Sequence, residues 1–382
     1  MPYPQLDRAV LEFSHLANRH NRVLLERDVV VPTAAPDELS PAAAEVVTET
    51  AARIVAARKA GAPVILAFGA HTIKNGLAPV LQKLMTDGWV QHLATNGAGI
   101  IHDWELAYQG ATSEDVKANV AAGTFGLWEE TGRFINLALL TGAYHGRGYG
   151  ESVGRFILDE EIIVPDKGDL MEALAEAGES ASTASRAAAA ADLLSIIRKH
   201  NIESGRYKVP HPWKKYSLQA AAAAEDVPFT GHPMFGHDII YTHPLNCGAA
   251  IGRAAERDFL AFADNISRLE NGVYLSIGSA VMSPMIFEKS FAMAQNLARQ
   301  RNALIQNHAI TVVDLAESAW DWTRGEPPPE SPAYYMRYCK TFSRMGGTMY
   351  YAAANNRDFP LTLLHQPGSG HYKVHKKPVP LS

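Results

Sequence analysis

Cysteine is nearly absent: Cys247 and Cys339 are the two in 382 residues. Two thiols cannot build a disulfide framework or a cysteine-rich zinc site, and they are compatible with a reducing compartment. A cationic surplus is absent too. Lys and Arg number 35 against 40 Asp and Glu, a formal charge of −5. That balance argues against nucleic acid or an anionic membrane as the main partner. No apolar run has the length of a membrane span; Ile65 to Gly69 and Tyr274 to Val281 are strand-length. The start, Met1-Pro-Tyr-Pro-Gln-Leu-Asp-Arg8, does not have the basic-then-apolar order of a secretory leader. What is present, 47% hydrophobic and 20% charged residues, is ordinary for a folded chain. The expectation is a soluble, cytoplasmic, well-packed protein.

The order of elements points to a parallel sheet. Ser40 is placed to cap a helix whose first position is Pro41, and the helix runs to Lys59. Val64 to Phe68 is fully apolar, the mark of a buried parallel strand. Gly76 to Asp87 reads as a helix, Val90 to Thr95 as the next strand, and Asn96-Gly-Ala-Gly99 as a loop of small residues. Strand, turn, helix, strand is the βαβ pattern, and such sheets place ligands at the carboxyl ends of their strands. Gly142 to Gly154 reads as a glycine-rich loop, and Val29-Val-Val31 as a short strand. Ala181 to His200 is an alanine-rich helix. The α/β grammar returns with a helix over Asp258 to Leu269, a strand over Val273 to Ile277, a small-residue turn at Gly278-Ser-Ala280, a helix over Met285 to Gln300 and a last strand over Gly347 to Ala354.

Several residue groups could carry chemistry. Glycines after strands, at Thr95 to Gly99 and Gly278 to Ala280, let backbone N–H groups approach a phosphate. They equally suit tight strand-to-helix turns, and the spacing is not G-x-G-x-x-G. His232, His237 and His243, with Asp238 beside them, offer imidazoles and a carboxylate to a metal; the alternative is ordinary hydrogen-bonded histidines. Ser283-Pro284 is not a hydrolase nucleophile elbow. Glu129 and Glu130 offer paired carboxylates beside Trp128; the alternative is solvated acids in the first turn of a helix. Lys340 stands among Tyr334, Tyr335 and Tyr338. An amine desolvated by such rings can act as a nucleophile and form a Schiff base.

Taken together, these runs resemble the deoxyhypusine synthase family, over roughly residues 60 to 110 and 225 to 365. Phe68-Gly-Ala-His-Thr-Ile-Lys-Asn-Gly76 resembles a strand followed by T-S-N-L-I-S-S-G. Thr95-Asn-Gly-Ala-Gly-Ile-Ile-His-Asp103 resembles T-T-A-G-G-V-E-E-D. Phe235-Gly-His-Asp-Ile-Ile240 lies where the family has L-G-D-M-I-F, Ile277-Gly-Ser-Ala-Val281 on L-G-G-G-V, and Asp358-Phe-Pro-Leu361 on V-F-P-L. The order and spacing of the five carry the resemblance. Its lysine falls on Lys340, in the same separation from Tyr351 as the family's lysine and tyrosine. Its NAD contacts fall on His71, Lys74, Asn75, Thr95, Asn96, Gly97, Asp103, Gly278 and Ser279. Three family positions differ: His-His falls on Pro284-Met285, a glutamate on His102, and an acid on Ala353. Asp321, Glu326, Glu330, Trp320, Trp322 and Tyr338 could supply acids and rings for an amine, at other positions.

The resemblance implies a doubly wound, mostly parallel, Rossmann-like α/β sheet with helices on both faces. It implies an extension over residues 1–40 packed on the core, one α/β domain over 41–370, and a tail over 371–382. It implies a homotetramer that binds NAD and acts on a small amine or polyamine, with no nucleic acid or membrane partner. The expected activity is NAD-dependent transfer of an alkylamine group through an imine on Lys340, with His237 or His102 moving protons. The acceptor, a protein lysine or a small amine, is open. The alternatives are a metal-dependent hydrolase using the histidine cluster and a non-catalytic NAD-binding protein.

Overall fold

The computed structural model describes residues 3–367; the tail expected at 371–382 lies outside them. Six short strands form one sheet. They are β1 (Val64–Phe68), β2 (His92–Thr95), β3 (Phe229–Gly231), β4 (Val273–Ile277), β5 (Ala309–Asp314) and β6 (Thr348–Ala353). The spatial order is β6-β5-β4-β1-β2-β3, and every neighbouring pair is parallel. This is the doubly wound Rossmann order, in which the chain builds outward from β1 in one direction and from β4 in the other.

Alternation along the strands makes two cores. Val64, Leu66 and Phe68 of β1, with Leu275 and Ile277 of β4, face the helices Pro41–Lys59, Ala78–Thr86 and Asp358–Leu364. Ile65, Ala67, Tyr274 and Val312 face the helices Gly248–Ile266, Met282–Gln300 and Arg337–Ser343 on the other side. Burial on both faces is why β1 is apolar throughout. Ser40 caps its helix as expected, accepting from the Ala43 N–H at 3.2 Å.

Two expectations are corrected. Val29 to Val31 is not a strand; the N-terminal strand is Asn21–Leu24, antiparallel to Ala111–Glu114. The Val30 N–H bonds instead to the Gly76 carbonyl. Gly142 to Gly154 is not a loop but the end of helix Glu129–Tyr144 and most of helix Tyr149–Asp159. Its glycines serve close packing: a Cβ at Gly142 would meet Ser152 Oγ at 2.0 Å, and one at Gly150 would meet the Phe229 carbonyl oxygen at 2.0 Å. Gly150-Glu-Ser-Val-Gly154 also has the Gly-x-Ser-x-Gly spacing of a nucleophile elbow. It lies within a helix, and Ser152 Oγ donates to the Gly148 carbonyl, so no strand-to-helix elbow exists there.

Where β1 and β4 end, the backbones touch. A Cβ on Gly69 would lie 2.0 Å from the Gly278 carbonyl oxygen. Gly69→Ala is expected to cost roughly 1–3 kcal/mol through overpacking. Gly252, with open space around its Cα in helix Gly248–Ile266, should gain up to about 1 kcal/mol as alanine. Urea unfolding midpoints read both; equal midpoints for Gly69→Ala and the parent protein would show that the contact does not matter.

Candidate functional site

The sheet reverses between β1 and β4, the place where doubly wound folds bind ligands. Gly69 leaves β1 with its N–H on the Ile277 carbonyl, and Gly278 leaves β4 with its N–H on the Val313 carbonyl. Gly278 has φ +56°, and a Cβ there would strike the Asn356 amide at 2.4 Å. Left-handed backbone and this close approach both require glycine. Ser279 Oγ accepts from the Ser283 N–H at 3.2 Å, in the first turn of helix Met282–Gln300. On the β1 side, His71 and Asn75 are exposed around the short helix Ala70–Lys74. Gly69 and Ser279 are buried at the reversal, and Gly278 is half-buried.

One strand over lies a cleft of about 220 Å³. Segments that follow β1, β2 and β3 build it. Helix Gly97–Gln109, capped by Asn96 Oδ1 on the Gly99 N–H at 2.9 Å, turns Ala98, Ile101, His102 and Glu105 toward it. Those positions share one helix face by spacing. Lys74, His237 and Asp238 complete the wall, with Arg19 and Phe125. The structure therefore brings together Lys74, His102 and His237 among the residues singled out from sequence.

The wall behind His102 is a closed hydrogen-bond chain. Arg19 donates to Glu105 at 2.8 and 2.6 Å, with both side chains about 1% exposed. Thr112 Oγ1 donates to Glu105 Oε2 at 2.5 Å, and Thr131 Oγ1 to Glu105 Oε1 at 2.9 Å. Burial would push the Glu105 carboxyl up, but the Arg19 charge and these bonds hold it below its ordinary value. His102 Nδ1 lies 2.7 Å from Thr112 Oγ1. Because the threonine proton goes to Glu105, its oxygen accepts, so His102 carries its proton on Nδ1 and leaves Nε2 bare. Burial, with Lys74 and His71 nearby, pushes His102 down to about 4. It is a neutral proton acceptor at pH 7.

Asp238 is the feature that sequence reading left out of the site proper. It is buried, its Oδ2 has no hydrogen-bond partner, and burial alone raises it to about 7. A Cβ on Gly97 would sit 2.1 Å from that oxygen, so glycine at the helix start is what admits the carboxyl. The hydroxyls of Tyr149 and Tyr241, which feel the Asp238 charge, are also buried without partners.

Other residues singled out from sequence go elsewhere. Asp103 accepts from Ser217 Oγ, the Leu218 and Gln219 N–H groups and Gln219 Nε2, at 2.6 to 3.1 Å. It caps helix Leu218–Ala224 from the opposite face of its own helix, and no oxygen is left for a cofactor. Thr95 Oγ1 donates to the Phe68 carbonyl at 2.9 Å and ties β2 to β1. Lys340 Nζ stands 3.5 Å from the centre of the Tyr334 ring. Its helix flanks β6, which is four strands from β2, roughly 19 Å at the usual spacing. Within this chain Lys340 does not reach the cleft.

The three histidines do not converge. His232 Nε2 shares the Thr230 hydroxyl with His92 Nε2, at 2.9 Å each. His243 Nε2 meets Glu129 at 3.2 Å while its Nδ1 accepts the Leu245 N–H. His237 is exposed at the cleft. Among the described residues no group of three His, Cys, Asp or Glu side chains is arranged to hold a metal, so the histidine-cluster hydrolase loses its basis. No helix among them is long and apolar enough to cross a membrane.

No protein-family model matches the chain, and no curated protein matches it. Solved structures with likeness include AgrE in a ternary complex with ornithine and NAD+ (14% identity, 86% of this chain and 33% of that chain, TM-score 0.41). ArgZ, an arginine dihydrolase from the ornithine-ammonia cycle in cyanobacteria, is 13% identical over 84% of this chain and 32% of that one, with TM-score 0.38. A conserved protein described as LOR/SDH from Methanococcus maripaludis S2 is 10% identical over 88% and 72%, with TM-score 0.41. The chain spans about a third of the AgrE and ArgZ chains. The architecture rests on the sheet order above, and none of these likenesses assigns a ligand to it.

Arg19→Ala would leave Glu105 charged and unpaired in the interior, and is expected to cost about 3–5 kcal/mol in urea unfolding. Acid should also destabilise the fold. His92, His102, His211, His232 and His308 are pushed by burial to about 3 or 4. Below pH 6.5 the unfolded chain takes protons there that the folded chain refuses, so stability present above pH 6.5 is lost toward pH 4. Asp103, Asp238 and Asp258, all raised by burial and the last two to about 7, act oppositely, but they are three against five. The net loss is about 1.4 kcal/mol per pH unit for each unbalanced proton. Stability that is flat from pH 7 to 5 would contradict this burial.

Proposed function

We propose that this chain is an NAD-dependent enzyme acting on a small amine-bearing substrate. The observation that carries the reading is the Rossmann strand order, with Gly69 and Gly278 packed backbone to backbone at its reversal. His71, exposed at the reversal, and the half-buried Gly278 are the residues that would meet the dinucleotide, and Asn96 orders the neighbouring helix start. When bound, NAD supplies an acceptor for a hydride from an amine carbon. A dinucleotide is too large for the 220 Å³ cleft, so the cleft is left for the substrate. There His102, neutral at pH 7, can accept a hydrogen bond from a substrate ammonium; held near 4, it is too weak a base to remove that proton itself. The Arg19–Glu105–Thr112 chain fixes its tautomer.

Transfer of an alkylamine group through an imine on Lys340 is the finer reading, and it rests on the resemblance. It requires Lys340 to reach a substrate that the cleft of its own chain holds elsewhere. Lys74 is the amine that does line the cleft.

Two measurements decide. Saturating NAD, at about a hundred times its Kd, should stabilise the fold by about 2.7 kcal/mol, a melting shift of a few degrees; no shift removes the dinucleotide reading. With NAD bound, amines screened by nicotinamide absorbance should yield NADH. If transfer is the reaction, Lys340→Ala abolishes transfer to an acceptor amine and leaves NAD bound. Retained transfer in that variant takes Lys340 out of the mechanism.

A further inference from the structure

Most charges around the cleft are paired within the chain. Arg19 and Glu105 neutralise each other. Glu114 accepts from Asn119 Nδ2, the Gly126 N–H and Trp128 Nε1, at 2.6, 3.2 and 3.0 Å. His102 is neutral. Two charges of opposite sign remain without partners. Asp238 is about nine-tenths buried and receives neither hydrogen bond nor cation from the chain. Lysine ion pairs are made by Lys83, Lys214 and Lys289; Lys74 makes none among the described residues. Both line the same small cavity. A buried acid without a partner is a costly arrangement unless a ligand supplies the missing charge.

We infer that the cleft binds a small zwitterion, with its ammonium against Asp238 and its carboxylate against Lys74. The ligand class is an amino acid, not a polyamine. Size agrees: at about 30 Å³ per water the cavity displaces about seven waters, matching a molecule of similar heavy-atom count. Charge agrees as well. A diamine brings its second cation against Lys74, and a dicarboxylate brings its second anion against Asp238. The inference deepens the reading of the cleft as the substrate site and rests on it for the role of that site, not for the binding itself.

Binding should also move a proton. Tyr149 and Tyr241 feel the Asp238 charge, Lys74, His102 and His237 line the same cleft, and near pH 7 the carboxyl is partly protonated. An incoming ammonium favours the charged form, so uptake releases a proton.

The test is calorimetric titration of the full chain with L-norvaline, 4-aminobutanoate, 1,4-diaminobutane and succinate, each with and without NAD. One of the two zwitterions should bind at least about tenfold tighter than the diamine and the dicarboxylate. Its heat should differ between phosphate and Tris buffers at pH 7 by the released proton. Asp238→Asn, which keeps the shape and removes the buried charge, should weaken it about tenfold or more and abolish the buffer dependence; Lys74→Gln should weaken it while keeping that dependence. A diamine that binds as tightly as the zwitterions, no binding by any of the four, or a zwitterion indifferent to Asp238→Asn would overturn the inference. Zwitterion binding without NAD binding would sink the dinucleotide reading and leave this one standing, and NAD binding with a preferred diamine would do the reverse.

Discussion

Arg19 and Glu105 meet in the interior as a two-bonded ion pair, and the cleft is assembled around it. Glu105 belongs to the helix that follows β2, whereas Arg19 comes from the irregular N-terminal segment. Leu16 is fully buried three residues before Arg19, and Asn21–Leu24 pairs with Ala111–Glu114 just after it. The segment is therefore anchored on both sides of the arginine. A buried ion pair contributes little net stability compared with an apolar replacement of equal shape. What this pair contributes is direction. It sets the Thr112 hydroxyl, which sets the proton on Nδ1 of His102, a residue of the cleft wall.

The second constraint is the contact of two backbones at the sheet reversal. β1 and β4 are neighbours, yet the chain leaves them toward opposite edges. Any side chain on Gly69 would occupy the space of the Gly278 carbonyl, and any on Gly278 the space of the Asn356 amide. The N–H groups of both glycines are taken by neighbouring strand carbonyls, so the contact locks the ends of β1 and β4 together. The short helix Ala70–Lys74 joins this contact to the cleft, starting beside Gly69 and ending with Lys74 in the cleft wall.

Much of this layout is legible in the sequence, because it rests on local signals. The apolar run of β1, the Ser40-Pro41 helix start and the small-residue turns at Asn96 and Gly278 each announce themselves by residue type. Two strands do not. β3 has three residues and a proline just before it, and β5 is an apolar run without the flanking turn glycines that mark β4. The glycines at 142, 148, 150 and 154 suggest a loop because only a tertiary view reveals what lies against each Cα. Arg19 carries no local signal at all; its partner is 86 residues away. Lys340 misleads for a related reason. A ring of tyrosines around a lysine says that the amine is shielded, but not which strand edge carries it.

The buried acids separate structure from function by a simple criterion, the partners each one has. Asp103 is sealed in the interior and receives four hydrogen bonds from the start of helix Leu218–Ala224. Asp258 is equally enclosed and accepts the Gly150 and Gly231 N–H groups at 2.8 and 2.6 Å. Burial still raises both, and Asp258 is raised to about 7. Asp238 reaches the same value with nothing to answer its charge. The first two acids tie helices to their neighbours, and removing either leaves N–H groups unsatisfied inside the protein. Removing the charge of Asp238 leaves no such orphan and should ease folding. A group that the fold would be better off without, retained beside a neutral histidine and an unpaired lysine in a cavity the size of a small metabolite, is explained by what enters that cavity.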